Sequence, residues 1–256
     1  MKRRDQFALL LLAVLCLCAS INAASAADIK VLTAGAYKPV LVALQADFER
    51  QTGHRLKIEN DTAGALQKRI SGGEAFDVAV LPPGAVQQLT QSGKLADGSA
   101  KRLARVAIGV AVKDGATMPD ISSVNAFQNA LLTARAVAYI DPAAGGSSGI
   151  YLSQLFEKWG LADRIKAKAV LVPGGLVAQR VVDGQADLAI HQISEILAVP
   201  GATLVGPIPT EIQNYTVYTG SVSATAAEAI AARALIDALA GAAAVTVLKT
   251  KGMEAP

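Results

Sequence analysis

Short apolar runs alternate with segments in which apolar residues recur every three or four positions along most of the chain. The run at 29–33 predicts a strand, and the periodic segment at 39–51 predicts an amphipathic helix. The same succession repeats twice, with strands at 55–59 and 76–81 and helices at 65–71 and 86–91. Strands and helices in strict alternation predict a parallel α/β sheet.

Two longer apolar runs, at 104–112 and 213–222, interrupt this alternation. Between them it restarts, with predicted helices at 125–133, 151–159 and 176–183 and predicted strands at 136–140, 168–172 and 188–191. A helix at 224–239 and an apolar tail at 242–249 follow the second run. Two α/β lobes joined by two crossing strands would produce this order. We therefore expect the first lobe at 27–105 and 213–256, and an inserted second lobe at 106–212.

The N-terminus has the composition of a secretory signal peptide. Lys2, Arg3 and Arg4 precede an apolar stretch at 7–18, and Ala24-Ser25-Ala26 forms an A-x-A cleavage site. The apolar stretch is shorter than the roughly 20 residues that span a bilayer, which argues against the alternative of a retained membrane anchor. We expect residues 1–26 to be removed and the mature protein to be periplasmic.

Removal of this segment changes what the composition implies. It takes away Cys16 and Cys18, the two cysteines of the chain, so the mature protein is expected to have neither a disulfide nor thiolate chemistry. It also leaves 21 Lys and Arg against 20 Asp and Glu, whereas the full chain has a net charge of +3. Such a balance indicates neither nucleic acid nor a membrane surface as a partner.

A Gly/Ser-rich stretch stands between the predicted strand at 136–140 and the predicted helix at 151–159, and it reads Asp141-Pro142-Ala143-Ala144-Gly145-Gly146-Ser147-Ser148-Gly149-Ile150. The free N–H groups of a helix's first turn favour an anion there, as does the positive end of the helix dipole. Ser147 and Ser148 add hydroxyl donors without adding charge. The alternative is a turn in which one serine caps the helix and no ligand binds.

Ligands of parallel α/β sheets bind beyond the carboxyl ends of the strands, and in a two-lobed protein those ends face one cleft. Hydroxyl, amide and bare backbone groups prevail there and can hold a small anion, each hydrogen bond to it contributing about 1.5–3 kcal/mol. Lys38 and Arg69 lie close enough in sequence to neutralise its charge, unless both are solvated surface residues. The candidate ligand-binding residues are Thr33, Ala34, Gly35, Thr62, Ala63, Gly64, Ser147, Ser148, Gly149 and His191.

The residues offer little for catalysis. His54 and His191 are the two histidines, too few without cysteine for a histidine-rich metal site, and no nucleotide-binding or hydrolase motif is present. Asp187 and Glu195 flank the strand of His191 at a spacing that does not pair them for acid/base work. We expect no metal, no cofactor and no enzymatic activity. The catalytic alternative is an exported hydrolase that uses Ser148 with His191, although the sequence suggests no third member of a triad.

Five short motifs carry a resemblance to a known family: DIKVLTAGA (28–36), DTAGALQKRI (61–70), FDVAVLPP (76–83), DPAAGGSSGIY (141–151) and ADLAIHQISE (186–195). Together with the export signal, they resemble the extracellular solute-binding proteins of ABC importers, and more narrowly the molybdate-binding branch. The resemblance implies a type II periplasmic-binding-protein fold, in which two α/β lobes close around the ligand about a two-strand hinge. It also implies delivery of a small anion to an inner-membrane permease, and we expect a monomer.

Three positions depart from the pattern of molybdate binders. The first loop has Thr33 but no serine after Ala34, the second has Ala63-Gly64 where a Ser-Gly pair is usual, and the strand that normally supplies a tyrosine ends in His191-Gln192. These changes leave two ligand classes open, a molybdate-like oxyanion and a small organic acid. They also leave open whether the protein serves transport or passes its ligand-bound shape to a membrane receptor.

Overall fold

The computed structural model describes residues 26–256, so the predicted signal peptide lies outside the described residues except for Ala26. The chain begins with β1 (Asp28–Ala34), α1 (Lys38–Thr52), β2 (Arg55–Asp61), α2 (Ala63–Ser71), β3 (Val78–Leu81), α3 (Pro83–Gln91) and β4 (Lys101–Val106). It continues with β5 (Ile108–Lys113), α4 (Val124–Thr133), β6 (Val137–Ile140), α5 (Ser147–Lys158), α6 (Ala162–Lys166), β7 (Ala169–Val172), α7 (Gln179–Val182), β8 (Leu188–Gln192), α8 (Ile193–Ile196) and β9 (Ala202–Pro207). It ends with β10 (Thr216–Val222), α9 (Ala229–Leu239) and α10 (Ala242–Thr250), and short 3-10 turns lie at Gly35–Tyr37, Pro142–Ala144 and Thr210–Ile212.

These elements form two α/β lobes, each built on a five-stranded sheet. The first sheet has the strand order β2-β1-β3-β10-β4, and the second has the order β7-β6-β8-β5-β9. In the first sheet β1 runs parallel to β2 and β3, while β10 runs antiparallel to β3 and β4. In the second sheet β6 runs parallel to β7 and β8, while β5 runs antiparallel to β8 and β9. The predicted fold class, two α/β lobes of the periplasmic-binding type, is confirmed.

The central strands are buried on both faces. Val31 of β1 belongs to the apolar cluster on one face of the first sheet, and its neighbour Leu32 belongs to the cluster on the other face. Tyr139 and Ile140 of β6 divide in the same way between the two clusters of the second sheet. Full burial of a side chain such as Leu32 contributes roughly 1.5–3 kcal/mol. Burial on both faces explains why these strands are continuous apolar runs in the sequence rather than alternating ones.

The first crossing between the lobes occurs at one residue. Ala107 separates β4, in the first sheet, from β5, in the second, so the long run at 104–112 is an extended segment shared by both sheets. The chain returns through residues 208–215. There the Gln213 amide donates to the Ile108 carbonyl at 2.9 Å and accepts from the Ile108 N–H at 2.9 Å, which ties the two crossings together. The division of the lobes at 106 and 213 remains a prediction.

Some element boundaries differ from those expected. α5 begins at Ser147 rather than at residue 151, because Gly145 turns the chain at a φ of 76° and Gly146 serves as the N-cap. α9 begins at Ala229 rather than at residue 224, because the preceding segment is held by a bond from the Glu228 N–H to Asp77 at 3.1 Å. β9 was not predicted, since it is only partly buried and contains Gly206.

Among residues 26–256, no single helix is long and apolar enough to cross a bilayer. α9 and α10 reach that length and apolarity only as a pair, which is bent by 61°.

Candidate ligand-binding site

The carboxyl ends of strands from both lobes meet around a small chamber of about 40 Å³. In the first lobe β1 and β2 end side by side, with Ala34 opposite Asp61. In the second lobe Ile140 ends β6 and His191 lies next to the end of β8. The chamber is lined by Ala34, Gly35, Ala36, Asn60, Asp61, Thr62, Ala63, Ile140, Gly146, Ser147, Ser148, Gly175, His191, Gln192, Glu195 and Tyr218.

Two helices from opposite lobes begin at this chamber. α2 follows Thr62, whose hydroxyl accepts the N–H of Ala65 at 3.2 Å as an N-cap. α5 follows Gly146, which has no side chain to compete for the first-turn amides of Ser147 and Ser148. The positive ends of both helix dipoles therefore point toward the same space, which favours negative charge there.

Seven of the ten predicted binding residues line the chamber, namely Ala34, Gly35, Thr62, Ala63, Ser147, Ser148 and His191. The structure places the other three elsewhere. Thr33 is fully buried in β1 and its hydroxyl donates to the Ala34 carbonyl at 3.1 Å. Gly149 packs α5 against β6, where a Cβ would collide with the Ile140 carbonyl. Gly64 contacts the opposite lobe. Ligand contact by the seven remains a prediction.

The two lobes touch directly through Gly64 and Gly145. The Gly64 N–H donates to the Gly145 carbonyl at 3.1 Å, and beside it the Thr62 hydroxyl donates to the Ala144 carbonyl. A Cβ on Gly64 would lie 2.9 Å from the Cα of Gly145, and a Cβ on Gly145 would lie 2.8 Å from the Cα of Gly64. Both positions are glycine because the two backbones meet there, and we call this the Gly64–Gly145 contact.

The two cations considered for charge neutralisation both contact residues of the chamber wall without lining it. Arg69 lies in a network of ion pairs with Glu59 at 2.5 Å and Glu74 at 2.6 Å, and it is 4.0 Å from the carboxylate of Asp61. Lys38 is exposed, and its ammonium donates to the side chain of Asn60 at 2.8 Å. Because Asn60 and Asp61 are chamber residues, both cations lie beside the site.

A buried acid/base pair forms part of the chamber wall. Nε2 of His191 lies 3.2 Å from Oε2 of Glu195, and the two residues are only 2 % and 7 % exposed. Burial lowers the pKa of His191 to about 3 and raises the pKa of Glu195 to about 8. At neutral pH the carboxyl is therefore protonated and the imidazole uncharged. Nδ1 of His191 has no hydrogen-bond partner among residues 26–256.

Neighbouring elements hold Glu195 in this position. The Ser194 hydroxyl donates to the Ala36 carbonyl at 2.8 Å, which fixes α8 against the first lobe. Gly35 leaves room for the carboxyl, because a Cβ there would lie 2.5 Å from Oε1 of Glu195. Tyr218 closes the chamber nearby, and its pKa is raised by burial and then by the Glu195 carboxylate.

Sequence reasoning missed the role of Glu195. The expectation that Glu195 and Asp187 do not pair is consistent with the structure, where Asp187 accepts from Arg135 at 3.1 Å. Glu195 instead faces His191, because β8 passes into α8 without an intervening turn and brings residues four apart onto one side. The signal available in the sequence was the His-x-x-x-Glu spacing at the end of an apolar strand.

This pair predicts the pH dependence of stability. Unfolding returns the pKa of Glu195 from about 8 to 4.5, so the unfolded chain loses a proton that the folded chain keeps, and the free energy of unfolding falls as pH rises from 4.5 to 8. Unfolding returns the pKa of His191 from about 3 to 6.5, so the same free energy falls as pH drops from 6.5 to 3. The pair therefore favours the folded state most between pH 4.5 and 6.5.

Urea unfolding at a series of pH values checks this expectation. Glu195→Gln should remove the decline on the alkaline side, whereas the exposed control Glu211→Gln should keep it. Parallel pH profiles for wild type and Glu195→Gln would contradict a buried, protonated Glu195.

The geometry does not support the hydrolase alternative. Nε2 of His191 faces Glu195 and Nδ1 is unpartnered within the described chain, so neither ring nitrogen accepts a proton from Ser148. A serine nucleophile requires such a bond to its base. Among residues 26–256, no three His, Cys, Asp or Glu side chains converge as a metal site.

Comparisons with known proteins agree with this architecture. Residues 29–254 match the family described as bacterial extracellular solute-binding protein. The chain is 35% identical over 230 residues to a Pseudomonas protein named aconitate isomerase, covering 88% of this chain and 86% of that one.

Solved structures share the fold. The periplasmic molybdate-binding protein of Azotobacter vinelandii superposes with a TM-score of 0.76 at 22% identity, covering 89% of this chain and 99% of that one. The sulfate-binding protein SubI of Mycobacterium tuberculosis gives a TM-score of 0.71 at 13% identity, covering 90% of this chain and 87% of that one.

Proposed function

Because the chain belongs to the family of bacterial extracellular solute-binding proteins, we propose that it binds a small carboxylate anion between its lobes and delivers it to a membrane permease. The observation that carries the proposal is the chamber itself, where two helix N-termini from opposite lobes meet beside His191, whose Nδ1 has no hydrogen-bond partner among the described residues. Donors from both lobes let a bound anion stabilise the closed arrangement. The proposed location is the periplasm, reached through the N-terminal signal peptide.

A carboxylate is favoured over a molybdate-like oxyanion by the relative that shares 35% of its residues with this chain. Its name refers to aconitate, an unsaturated tricarboxylate, whereas the molybdate and sulfate binders are at most 22% identical and support the fold alone. The protonated carboxyl of Glu195 adds a hydrogen-bond donor, and a ligand carboxylate can accept a hydrogen bond from it.

A thermal-shift and calorimetric screen of the exported, purified chain tests the proposal. The probes are trans-aconitate, its saturated analogue tricarballylate, acetate, sulfate and molybdate. A ligand at 100 times its Kd should stabilise the folded chain by about 2.7 kcal/mol. We expect the tricarboxylates to give this shift. If molybdate alone raises the melting temperature, the ligand is a molybdate-like oxyanion and the carboxylate proposal is overturned.

Ser148→Ala and His191→Gln should each weaken tricarballylate binding about tenfold, because each removes one hydrogen bond to a charged acceptor. Isothermal calorimetry measures the change in Kd. Ser153→Ala is the control, since Ser153 lies on the same helix α5 but outside the chamber. If both chamber variants keep the wild-type Kd, these residues are structural.

A second candidate function is isomerisation of an unsaturated polycarboxylate, and the His191–Glu195 pair is the observation that favours it. Moving a double bond by proton transfer needs one carbon to lose a proton and another carbon of the allylic unit to gain one, with no net oxidation. The carboxyl of Glu195, its pKa raised to about 8, can donate a proton and then, as a carboxylate, accept one, and a pKa near the working pH suits such a group. His191 lies beside it as an uncharged imidazole. The two functions share one ligand class and one chamber.

A further inference from the structure

A second, larger cavity adjoins the chamber, and we call it the vestibule. Its volume is about 530 Å³, and it shares Gly35, Asn60, Gly175 and Glu195 with the chamber wall. The remaining wall comes from α1, from Leu176 before α7, from Ala198 after α8 and from Lys251 after α10. The vestibule therefore adjoins the chamber along the shared residues.

Two lysines give the vestibule its charge. Lys38 lines it from α1, and Lys251 lines it from the residue that follows α10. Glu195 is the one acidic side chain in this wall within residues 26–256, and burial keeps it protonated at neutral pH. Lys38 is held at the boundary between the two cavities by its bond to Asn60 at 2.8 Å. The vestibule thus carries two positive charges beside a chamber whose donors are mainly uncharged.

The sizes of the two cavities divide a ligand between them. A cavity needs roughly 10–15 Å³ to hold one water molecule. The chamber, at about 40 Å³, therefore holds about three groups of that size, which is enough for one carboxylate. The vestibule, at about 530 Å³, falls in the range of roughly 300–1,000 Å³ that is typical of small-molecule sites. An anion larger than one carboxylate therefore does not fit in the chamber alone, and the adjoining vestibule is the larger space beside it.

We propose that the vestibule is the subsite for a second carboxylate of the same ligand, and that Lys38 and Lys251 bind it. This inference rests on the proposed carboxylate-binding function and narrows its ligand class to di- and tricarboxylates. The chamber, whose hydrogen-bond donors are mainly uncharged, recognises one end of the ligand, and the two ammonium groups select for additional negative charge.

Calorimetry with tricarballylate and acetate tests the inference on the full exported chain. Lys38→Gln and Lys251→Gln should each weaken tricarballylate binding about 5- to 10-fold, with a reduced dependence of Kd on salt. Any acetate affinity should remain within twofold. Lys249→Gln is the matched control, because it removes the same charge from the exposed side of α10 without touching the vestibule. Lys38→Arg should retain most of the affinity.

The outcomes separate the two levels of the proposal. If Lys38→Gln and Lys251→Gln bind tricarballylate as tightly as the Lys249→Gln control does, the vestibule subsite is overturned, while the proposed carboxylate binding stands. A wild-type chain that binds no carboxylate at all would overturn both. If the lysine variants weaken tricarballylate and acetate binding equally, the subsite is also overturned. The lysines would then act through the overall charge of the site and not by binding a second carboxylate.

Discussion

Glu195→Gln is expected to abolish the proposed interconversion of trans- and cis-aconitate, the second candidate function, while leaving tricarballylate binding within about threefold of wild type. Glutamine has the size of the protonated carboxyl present at neutral pH, so the chamber keeps its shape and position 195 stays uncharged. It cannot release or return a proton, and loss of a positioned acid or base typically costs 10²- to 10⁴-fold in rate. Binding and turnover should therefore separate in this one variant.

Proton NMR of trans-aconitate incubated with the chain in D2O measures both the isomer ratio and the exchange of methylene protons with solvent. Glu211→Gln, at an exposed position, is the matched control and should retain the wild-type rate. Full turnover by Glu195→Gln would remove the His191–Glu195 pair from the reaction. An inactive wild type that still binds tricarballylate would leave solute binding as the function and reject isomerisation.

Gly64→Ala is expected to hold the lobes apart and to weaken tricarballylate binding by at least tenfold. The new Cβ would lie 2.9 Å from the Cα of Gly145, a distance that real Cβ atoms do not reach, so the backbones must separate. The hydrogen bond from the Gly64 N–H to the Gly145 carbonyl is then lost as well. Within its own lobe the substitution is favourable, since alanine exceeds glycine in helix propensity by up to about 1 kcal/mol.

Gly84→Ala is a closely matched control. Gly84 is the second residue of α3, as Gly64 is the second residue of α2, but apart from its chain neighbours and the backbone of its own helix no described atom lies within 4 Å of a Cβ placed there. Calorimetry gives the affinities, and small-angle X-ray scattering reports whether ligand still contracts the molecule. Unchanged affinity and contraction in Gly64→Ala would show that ligand-bound closure does not require the Gly64–Gly145 contact.

Much of this architecture could be predicted because hydrophobic burial leaves a direct trace in sequence. Val31 and Leu32 are adjacent in β1 yet pack into clusters on opposite faces of the sheet, which requires the continuous apolar run that predicts a buried parallel strand. The carboxyl ends of such strands then predict where Ser147, Ser148 and His191 come together. For this part of the site the positions follow from topology alone.

Contacts between the lobes could not be predicted in the same way. Gly64 lies at the start of α2, where the strand-end argument places the ligand, but its N–H donates to the carbonyl of Gly145 in the other lobe. No local pattern identifies this partner, which is 81 positions away. Glu195 was missed for a related reason. Its burial depends on the packing of α8 against Ala36 from the first lobe, and an acidic residue four positions after His191 looks like an ordinary surface residue until that packing is known.

At the Gly64–Gly145 contact the two lobes meet through bare main chain, and this has an evolutionary consequence. Peptide groups have the same shape whichever ligand is bound, so this contact between the lobes does not depend on the identity of the ligand. Substitutions among the chamber residues can therefore change the ligand, or convert a binding protein into an enzyme, without a compensating change at the Gly64–Gly145 contact. A fold of this kind can evolve from transport to catalysis, or the reverse, while the contact between its lobes stays the same.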